Sequence, residues 1–597
     1  MSRRSIATPP PACLAPAAEP DRARAEALDG RLHAIAAPAW GGLSPISLAL
    51  AGIDWALHLA TQPARLTQLA TQAVTLAADA TQDAWTQART PAALSERPDD
   101  KRYAAEAWQA WPAGWWARQH LAAERWWRDA TQLRGMDAHH QDVVGVFARQ
   151  WLDMLSPANA GLANPEVLRR TVAERGANLQ AGAEHALDAW RVRQGLAPLT
   201  ESERSFEPGQ DVALTPGRVV HRNALVELIQ YTPTTPRVQA EPVFIVPSWI
   251  MKYYILDLSP ANSMVRWLVA QGHTVFILSW RNPDENDALL EMDDYLQLGV
   301  FDTLAAIGRL VPRQPVHAVG YCLGGTLLAI AAAALARPAA VQGAALLPPL
   351  ASLSLLAAEV DFSEPGEMGV LIDESQVALL EDMMAERGYL TGHQMAGSFQ
   401  FLHSRELIWS ATLRELWMGE ALRPNDLMAW NADTTRMPAT MHSQYLRRLY
   451  LHNELALSRY CVEGQPVSLR DLTLPVFLVG TEKDHVAPWR SVYKLHALCD
   501  AEITFVLTSG GHNAGVVSEP GHPGRRWQQA TRHTDDAWVP PEAWPAAAEA
   551  HEGSWWTAWD AWLKQRGSGR STAARQPKAV DKLPAAPGSY VQQRYLD

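Results

Sequence analysis

The sequence predicts a doubly wound α/β domain that follows a helical N-terminal region. In the second half of the chain, short and nearly continuous apolar segments alternate with helical patterns, among them "EPVFIVPSWI", "HTVFILSW" and "LPVFLVGTEKDH". Apolar runs of this kind are typical of parallel strands that are buried on both faces. The chain has 597 residues, of which 47% are hydrophobic, so two or three domains are expected rather than one core.

Changes in composition divide the chain into four regions. Residues 1–35 are rich in Pro, Ala and Arg and are predicted to be a disordered tail. Residues 36–211 are predicted to be helical, because helix formers and apolar residues recur at three- and four-residue spacing. Residues 212–565 hold the predicted sheet, and the strand pattern pauses at about 363–470, where a cap over the carboxyl edge of the sheet is expected. Residues 566–597 are a C-terminal tail, expected to be ordered only where it docks.

Composition and charge narrow the possible partners and location. The net charge is −12 and no basic stripe stands out, which argues against nucleic acid as the main partner. The four cysteines form no CxxC pair and no zinc-site spacing, and the N-terminus lacks a continuous apolar signal core. Asp54 interrupts "PISLALAGIDWALHLA", so no apolar run reaches the length of a membrane span. We therefore expect a cytoplasmic protein without a transmembrane segment or a metal site.

Tryptophan is abundant, with 25 residues, and six of them crowd one segment of the helical region: Trp108, Trp111, Trp115, Trp116, Trp126 and Trp127. One interpretation is helix packing. The other is an apolar face for a hydrophobic surface or partner, since large exposed aromatic patches usually mark interaction sites.

The stretch "HAVGYCLGGTLLAI" carries the strongest indication of chemistry. Gly320-Tyr321-Cys322-Leu323-Gly324 fits G-x-nucleophile-x-G between an apolar strand and an apolar helix. In such an elbow the central side chain stands at the top of the sheet, and its partners follow in the order acid, then histidine. Asp484 follows "PVFLVG" and His512 follows "ITFVLTSGG", so each lies just after a predicted strand. This pattern predicts an α/β-hydrolase fold with a cysteine nucleophile.

The residues of this pattern have distinct predicted roles. Cys322 is the nucleophile, and the N-terminus of the helix that follows it favours the thiolate. His512 is the general base that takes the thiol proton, and Asp484 orients the imidazole or steers a second proton transfer. The backbone N–H of Leu323 is one expected oxyanion donor, and the other is expected near Trp249 or Ile250.

A lone GxCxG pattern is weak, because a buried cysteine is more often a small hydrophobic residue. The strand, the helix and the ordered acid and histidine favour the nucleophile. His485 either caps a turn or lines the site, whereas Cys13, Cys461 and Cys499 are expected to be inert. A thiolate is well suited to exchange acyl groups with a thioester. Such a site must exclude water, or the acyl-enzyme would hydrolyse.

Longer stretches carry a family resemblance. They include "PSWIMKYYILDLSPANSMVRWLVAQGHTVFILSWRNPD", "GYCLGGTLLAIA", "NDLMAWNADTTRMP", "YLRRLYLHNELA", "GTEKDHVAPW" and "GGHNAGVVSEP". Together they resemble polyhydroxyalkanoate synthases of the single-subunit type, in a long, divergent form, over about residues 40–530. The resemblance implies polymerisation of (R)-3-hydroxyacyl-CoA into polyester with release of CoA.

The resemblance also implies roles for individual residues. The family's catalytic set falls on Cys322, Asp484 and His512, with Asp484 helping to activate the 3-hydroxyl of the incoming unit. The further candidates for oxyanion and substrate binding are Leu323, Ile250, Trp249, Tyr321, Trp430 and His485, of which Trp430 matches a buried tryptophan of the family. No cofactor is implied beyond the CoA thioester itself. A homodimer, gating by the cap, and association with polyester granules and granule proteins are implied.

Met251 departs from the family pattern, since it stands where a polar residue is usual next to the expected oxyanion loop. Two other functions stay open. The first is a cysteine α/β-hydrolase, such as a thioesterase or a protein like dienelactone hydrolase, since dienelactone hydrolases also use an elbow like "GYCLGG", although their chains are much shorter. The second, which Met251 keeps open, is a granule-binding protein without turnover. Loss of turnover in a Cys322 variant that still binds granules would separate catalytic from binding roles.

Overall fold

The computed structural model describes residues 20–89, 100–194, 206–338, 341–391, 408–420 and 425–595, together with residues 196 and 394. Within them a mixed ten-stranded sheet has the order β1-β2-β5-β4-β6-β7-β10-β11-β12-β13. Its strands are β1 (Gly217–Arg222), β2 (Val226–Tyr231), β4 (Val243–Val246), β5 (Val275–Trp280), β6 (Val316–Tyr321), β7 (Leu350–Leu356), β10 (Val476–Thr481), β11 (Ile503–Thr508), β12 (Arg526–Arg532) and β13 (Glu549–Glu552).

The parallel sheet predicted from the sequence is confirmed for the central strands β5, β4, β6, β7, β10 and β11. The edges differ, because β1 and β2 on one side, and β12 and β13 on the other, run antiparallel to their neighbours. The turn between β1 and β2 spans only residues 223–225, which is too short for the crossover that a parallel pair requires.

Two short strand pairs lie outside this sheet. Strand β3 (Arg237–Gln239) pairs antiparallel with β14 (Ser571–Ala573), and β8 (Cys461–Val462) pairs with β9 (Gln465–Pro466) inside the cap region. The β3–β14 pair fastens the chain that follows the last helix to the catalytic domain.

Helices cover both faces of the sheet and recur through the described part of the cap region. Those described after residue 206 are Met264–Ala270, Met292–Asp294, Asp302–Leu310, Leu323–Ala336, Glu374–Met384, Ser410–Thr412, Asp426–Asn431, Ala439–Tyr445, Trp489–Tyr493, Leu495–Leu498, His512–Val516, Trp544–Ala547 and Trp556–Arg566, with π-helical turns at Tyr295–Phe301, Leu413–Trp417 and Leu446–Leu451. Two apolar cores result, one on each face of the sheet.

The helices described in the N-terminal region are Pro20–Ala36, Pro45–Ala60, Pro63–Arg89, Ala113–Thr131, Ala138–Met154, Pro165–Ala173 and Ala177–Arg193. The expectation of disorder over residues 1–35 is wrong for residues 20–35, and residues 1–19 lie outside the described residues. The first helix packs on helix Glu374–Met384 of the cap, where His33 Nδ1 lies 2.8 Å from Asp382 Oδ2. This tertiary partner is not visible in local composition.

The N-terminal helices contact the catalytic domain largely through the cap region. The amide of Ser44 donates to Gln376 Oε1 at 2.7 Å, and Arg149 Nη2 lies 3.2 Å from Glu367 Oε1. The amide of the Asn178 side chain donates to the carbonyl of Trp417 at 2.8 Å. These contacts join the N-terminal helices to the cap.

The C-terminal tail also lies against the catalytic domain. Lys252 Nζ donates to the carbonyl of Gln593 at 2.6 Å, and Arg436 Nη2 donates to the carbonyl of Tyr595 at 2.7 Å. Because Lys252 follows the expected oxyanion loop and Arg436 belongs to the cap, the tail links these two parts.

The tryptophan cluster of the N-terminal region mainly packs between helices. The indole N–H of Trp108 donates to Glu166 at 2.8 Å, and that of Trp126 donates to the carbonyl of Leu69 at 2.8 Å. In contrast, Trp111 and Trp116 are 51% and 53% exposed. Helix packing therefore explains part of the cluster, and these two residues remain on the surface.

Among the described helices, none is by itself both long and apolar enough to cross a membrane. One pair, Arg24–Trp40 and Pro45–Ala60, is long and apolar enough only when the two helices are taken together, and they are bent by 65° where they meet.

Replacement of Trp559 tests how the last long helix is held on the sheet. Trp559 is fully buried, and its indole N–H donates to Ser354 Oγ of β7 at 3.0 Å. We expect Trp559→Ala to lower the stability of the catalytic domain by about 3–5 kcal/mol, because a large cavity opens and Ser354 loses its partner. Trp538→Ala is the matched control, since Trp538 is 51% exposed. Chemical denaturation measures both, and equal effects would contradict this packing.

Candidate active site

Cys322 lies at a strained turn between β6 and helix Leu323–Ala336. Its φ of +52° and ψ of −128° are unfavourable for a residue with a side chain, and such strain is common at functional sites. Glycines make the turn possible: a Cβ on Gly320 would lie 2.3 Å from the Cα of Gly325, and one on Gly324 would lie 2.2 Å from the carbonyl oxygen of Val246. The predicted elbow is therefore present in the structure.

The acid and the histidine meet at the carboxyl ends of neighbouring strands. Asp484 follows β10 and His512 follows β11, and His512 Nδ1 donates to Asp484 Oδ2 at 2.8 Å. The other Asp484 oxygen accepts from the amides of Val486 and Ala487 at 2.9 and 2.8 Å, while Thr481 Oγ1 donates to Oδ2 at 2.9 Å. Asp484 is thus held in one orientation by its own loop and strand.

The charges of Cys322 and Asp484 affect the pKa of His512, which lies between them. Burial by itself lowers the pKa of His512, but the charges of Cys322 and Asp484 and hydrogen bonds to both outweigh it and raise that pKa well above its usual value. For Asp484, burial raises the pKa, and His512 together with the other hydrogen-bond donors lowers it below its usual value. The arrangement therefore favours a protonated imidazole between two acidic groups.

The expected oxyanion donors lie where the loop after β4 meets the elbow helix. The carbonyls of Val246 and Pro247 lie against Gly324, and the amide of Leu323 belongs to the first turn of the helix, where no intrahelical acceptor exists. Further along the loop, the carbonyls of Trp249 and Ile250 accept from Thr435.

These two bonds, from Thr435 Oγ1 at 2.5 Å and from its amide at 3.0 Å, fix the loop from the cap side. Met251, which departs from the family pattern, forms an isolated antiparallel β-bridge with Thr434 of the cap.

Three other predicted site residues have different surroundings. Trp430 is buried, and its indole N–H donates to the carbonyl of Lys252 at 2.7 Å, so it holds the chain where the loop ends. The Tyr321 hydroxyl donates to Asn513 Oδ1 at 2.5 Å, and its ring centroid lies 5.7 Å from that of His512. His485 is exposed and lines a cleft of about 730 Å³ that Arg128 and Arg149 of the N-terminal helices also line.

Three further residues of the site were not singled out in the sequence. Glu359, which follows β7, is only 5% exposed and lies close enough to Cys322 and Asp484 for their charges to affect its pKa. In the cap, the hydroxyl of Tyr445 donates to that of Tyr450 at 3.2 Å, and Trp249 packs edge-on against Tyr445. The acidic residue in the apolar stretch "LLAAEVDF" was the available signal for Glu359. Both tyrosines lie in "YLRRLYLHNELA", which carries the family resemblance but was given no role in the site.

The fold and this site define a protein of the α/β-hydrolase fold with a Cys–His–Asp set. Comparison with known families agrees with this class, since a family model described as "alpha/beta hydrolase fold" matches residues 241–518. The description "Poly-beta-hydroxybutyrate polymerase (PhaC) N-terminus" matches residues 99–268, and "Poly-beta-hydroxybutyrate polymerase N terminal" matches residues 23–65.

Individual relatives narrow the class further. A poly(3-hydroxyalkanoate) polymerase from Methylorubrum extorquens is 40% identical over 83% of this chain and 81% of its own. The corresponding subunit from Rhizobium etli is 37% identical over 84% and 78%, and that from Cupriavidus necator is 35% identical over 83% of both chains. The chain belongs to the poly(3-hydroxyalkanoate) polymerase family.

The charge arrangement predicts how His512 titrates. A pKa raised in the folded state means that the stabilising contribution of His512 is fully present below its unfolded pKa of about 6.5 and is lost as the pH rises through the folded value. We expect NMR of ¹³C-labelled histidine to find His512 still protonated above pH 7. The signal is assigned by its absence in His512→Gln.

Cys322→Ser tests the cause of this shift. A serine hydroxyl does not ionise in this range, so one of the two charges that raise the pKa is removed and the pKa of His512 should fall. A pKa that stays the same in Cys322→Ser would contradict the contribution of the thiolate. His496 offers an internal reference, because burial lowers its pKa to about 4 and it should stay neutral throughout.

Proposed function

We propose that the chain polymerises (R)-3-hydroxyacyl groups from CoA thioesters through a covalent thioester on Cys322. The observation that carries this proposal is the Cys322–His512–Asp484 set on a strained elbow, in a chain of the poly(3-hydroxyalkanoate) polymerase family. A thiolate suits this reaction, because thioester exchange between sulfur atoms changes little in free energy and keeps the acyl group reactive.

In the acylation step, the Cys322 thiolate attacks the carbonyl carbon of the acyl-CoA. A tetrahedral oxyanion forms and is stabilised by the Leu323 amide and by an amide of the loop around Ile250. The bond from carbon to the CoA sulfur then breaks, and His512, which holds the proton, donates it to the departing CoA thiolate. The products are an acyl thioester on Cys322, free CoA and a neutral imidazole.

In the elongation step, a 3-hydroxyl oxygen attacks the thioester carbon on Cys322. His512, now neutral, removes the hydroxyl proton, an ester bond forms, and the Cys322 thiolate leaves. The imidazolium and the thiolate are thereby restored. The reaction is acyl transfer without a change of oxidation state, so the proposal needs no metal or redox cofactor.

Asp484 is best suited to hold His512 rather than to remove the hydroxyl proton itself. Its two oxygens already accept from Val486, Ala487, Thr481 and His512, and its pKa is lowered despite burial. A carboxylate with these four hydrogen bonds is a weak base, while its bond to His512 Nδ1 leaves the other ring nitrogen for Cys322. We therefore assign both proton transfers to His512.

Water has to be kept from the acyl-enzyme, or the growing chain would be released. Buried Trp249 and Tyr445 lie on the loop and cap that adjoin the elbow, and hydrogen bonds from Thr435 tie that loop to the cap. We propose that opening of the cap over residues 363–470 admits the substrate. The homodimer implied by the sequence resemblance stays a prediction.

Release of CoA from (R)-3-hydroxybutyryl-CoA tests the proposal directly. We expect wild type to release CoA and form insoluble polyester, and Cys322→Ala to reduce the rate at least about 10³-fold, because the nucleophile is lost. Cys461→Ala is the matched control, since the carbonyl of neighbouring Val462 accepts from Arg337, at the opposite end of the elbow helix from Cys322. Chromatography of quenched samples measures CoA without a thiol reagent.

The products separate the alternatives. Cys322-dependent release that yields only free hydroxy acid would mean a thioesterase on this fold. No release from short or longer hydroxyacyl-CoA would contradict the polymerase and would favour a granule-binding protein.

Association with the polyester is proposed to use an exposed apolar face on helix Pro45–Ala60. Ile46, Leu50, Ile53 and Leu57 recur at helical spacing on this face and are each more than half exposed. Nearby Trp151 and Leu155 are 62% and 68% exposed and border an apolar groove of about 500 Å³. A polymerase that stays attached to an apolar product gains from such a face.

Leu57→Asp tests this surface. The substitution places a charge where apolar contact is proposed, so we expect weaker co-sedimentation with polyester granules and unchanged initial CoA release. Leu346→Asp is the control, because Leu346 is 77% exposed but precedes β7. It therefore lies at the amino ends of the parallel strands, whereas the elbow lies at their carboxyl ends. Equal granule binding by both variants would contradict the proposed surface.

A further inference from the structure

Glu359 occupies a position between the nucleophile and the acid. It follows β7, which lies between β6 and β10 in the sheet. Immediately before it, the carbonyl of Leu356 accepts from the amide of Cys322 at 2.9 Å, and the amide of Ala357 donates to Val479 at 2.8 Å. The hydroxyl of Thr326, in the elbow helix, donates to the Glu359 carbonyl at 2.7 Å. The backbone at Glu359 is therefore fixed by both neighbouring strands and by the elbow helix.

The carboxyl of Glu359 is buried without a hydrogen-bond partner. Glu359 is 5% exposed and its Oε1 is fully buried, and no hydrogen bond or ion pair joins this carboxyl to any of the residues that the structure describes. A buried polar group without a partner is costly, so each such group in a native protein calls for an explanation. Two cations that lower the pKa of Glu359 are already engaged with other groups.

These cations are His512, which donates to Asp484 at 2.8 Å, and Lys494, whose ammonium lies 2.6 Å from Glu364 and 2.8 Å from Ser363 Oγ. Burial raises the pKa of Glu359 well above its usual value, and the negative charges of Asp484 and Cys322 raise it further. A neutral carboxylic acid carries one donor and one acceptor, so it can pair with a hydroxyl or a carbonyl.

The surroundings of this carboxyl belong to the enclosed part of the site. The ring of Tyr450 packs on that of Phe362, three residues after Glu359, with the ring centroids 4.9 Å apart. Tyr450 in turn accepts from Tyr445, which packs on Trp249 of the expected oxyanion loop. Ala358 and Val360, on either side of Glu359, belong to the same apolar cluster as Trp249 and Tyr445, and Cys322 and Tyr450 pack against this cluster.

We infer that Glu359 is a substrate-binding residue whose buried carboxyl hydrogen-bonds the 3-hydroxyl of the acyl group as it reacts with Cys322. This inference rests on the proposed acyl transfer. The hydroxyl supplies the partner that the buried carboxyl lacks, and its recognition favours 3-hydroxyacyl groups over simple acyl groups. Such discrimination is strong where a buried polar group is left unpaired by the wrong substrate.

The test compares (R)-3-hydroxybutyryl-CoA with butyryl-CoA, which lacks only the hydroxyl. With enzyme in excess, the rate of the first CoA release reports acylation and not chain growth. We expect wild type to acylate faster with the hydroxyacyl substrate, and Glu359→Met to lower the ratio of the two rates about tenfold, as loss of one buried hydrogen bond predicts. Glu359→Gln keeps an N–H donor and a carbonyl in the same shape and should retain most of the preference.

The ratio isolates recognition from folding, because both rates come from one preparation and any inactive fraction cancels. A ratio that is unchanged in Glu359→Met overturns the inference, since the residue would then be structural only. If Glu359→Gln loses the preference for the hydroxyacyl substrate as fully as Glu359→Met does, the inferred hydrogen bond from a neutral side chain at position 359 is overturned. Wild type that releases no CoA from either thioester would instead refute the proposed function.

Discussion

The hydrogen bond from His512 to Asp484 is the contact on which the proposed chemistry and much of the local structure depend. It places an ionised carboxylate and an imidazole in a site with little exposure, where an unpaired charge would be costly. Asp484 is tied at both oxygens, so the histidine has one orientation and one free nitrogen. The strained elbow then brings Cys322 to that nitrogen. Each of these features is useful only in the presence of the other two.

The parts that enclose this site are connected to one another. The loop after β4 is bound by Thr435 of the cap, and Trp430 supports it through the carbonyl of Lys252. Lys252 also binds the C-terminal tail, while the N-terminal helices bind the cap through Gln376 and Glu367. Movement of the cap would therefore disturb contacts with both termini. The site is closed by segments distant in sequence, which suits a reaction that must admit substrate and exclude water.

The sequence allowed the central strands, the elbow and the order of Asp484 and His512 to be predicted, because each of these has a local pattern. It did not allow the first helix, Pro20–Ala36, to be predicted, since that helix packs on a cap helix more than 300 residues away. The antiparallel edge strands depend on turn length and pairing, which apolar runs do not specify. Glu359 was missed for a related reason: its significance arises from the neighbours that β6 and β10 bring to it, and not from its own segment.

The proposed mechanism requires a covalent acyl thioester on Cys322, which a substrate that cannot be elongated should trap. Butyryl-CoA has no 3-hydroxyl, so we expect it to acylate the enzyme once and stop. Mass spectrometry of the acid-quenched, digested protein should then find one butyryl group on the peptide that contains Cys322, and none on that peptide in Cys322→Ala. CoA release with no acyl group on Cys322, or with the acyl group on another residue, would contradict acyl transfer through Cys322.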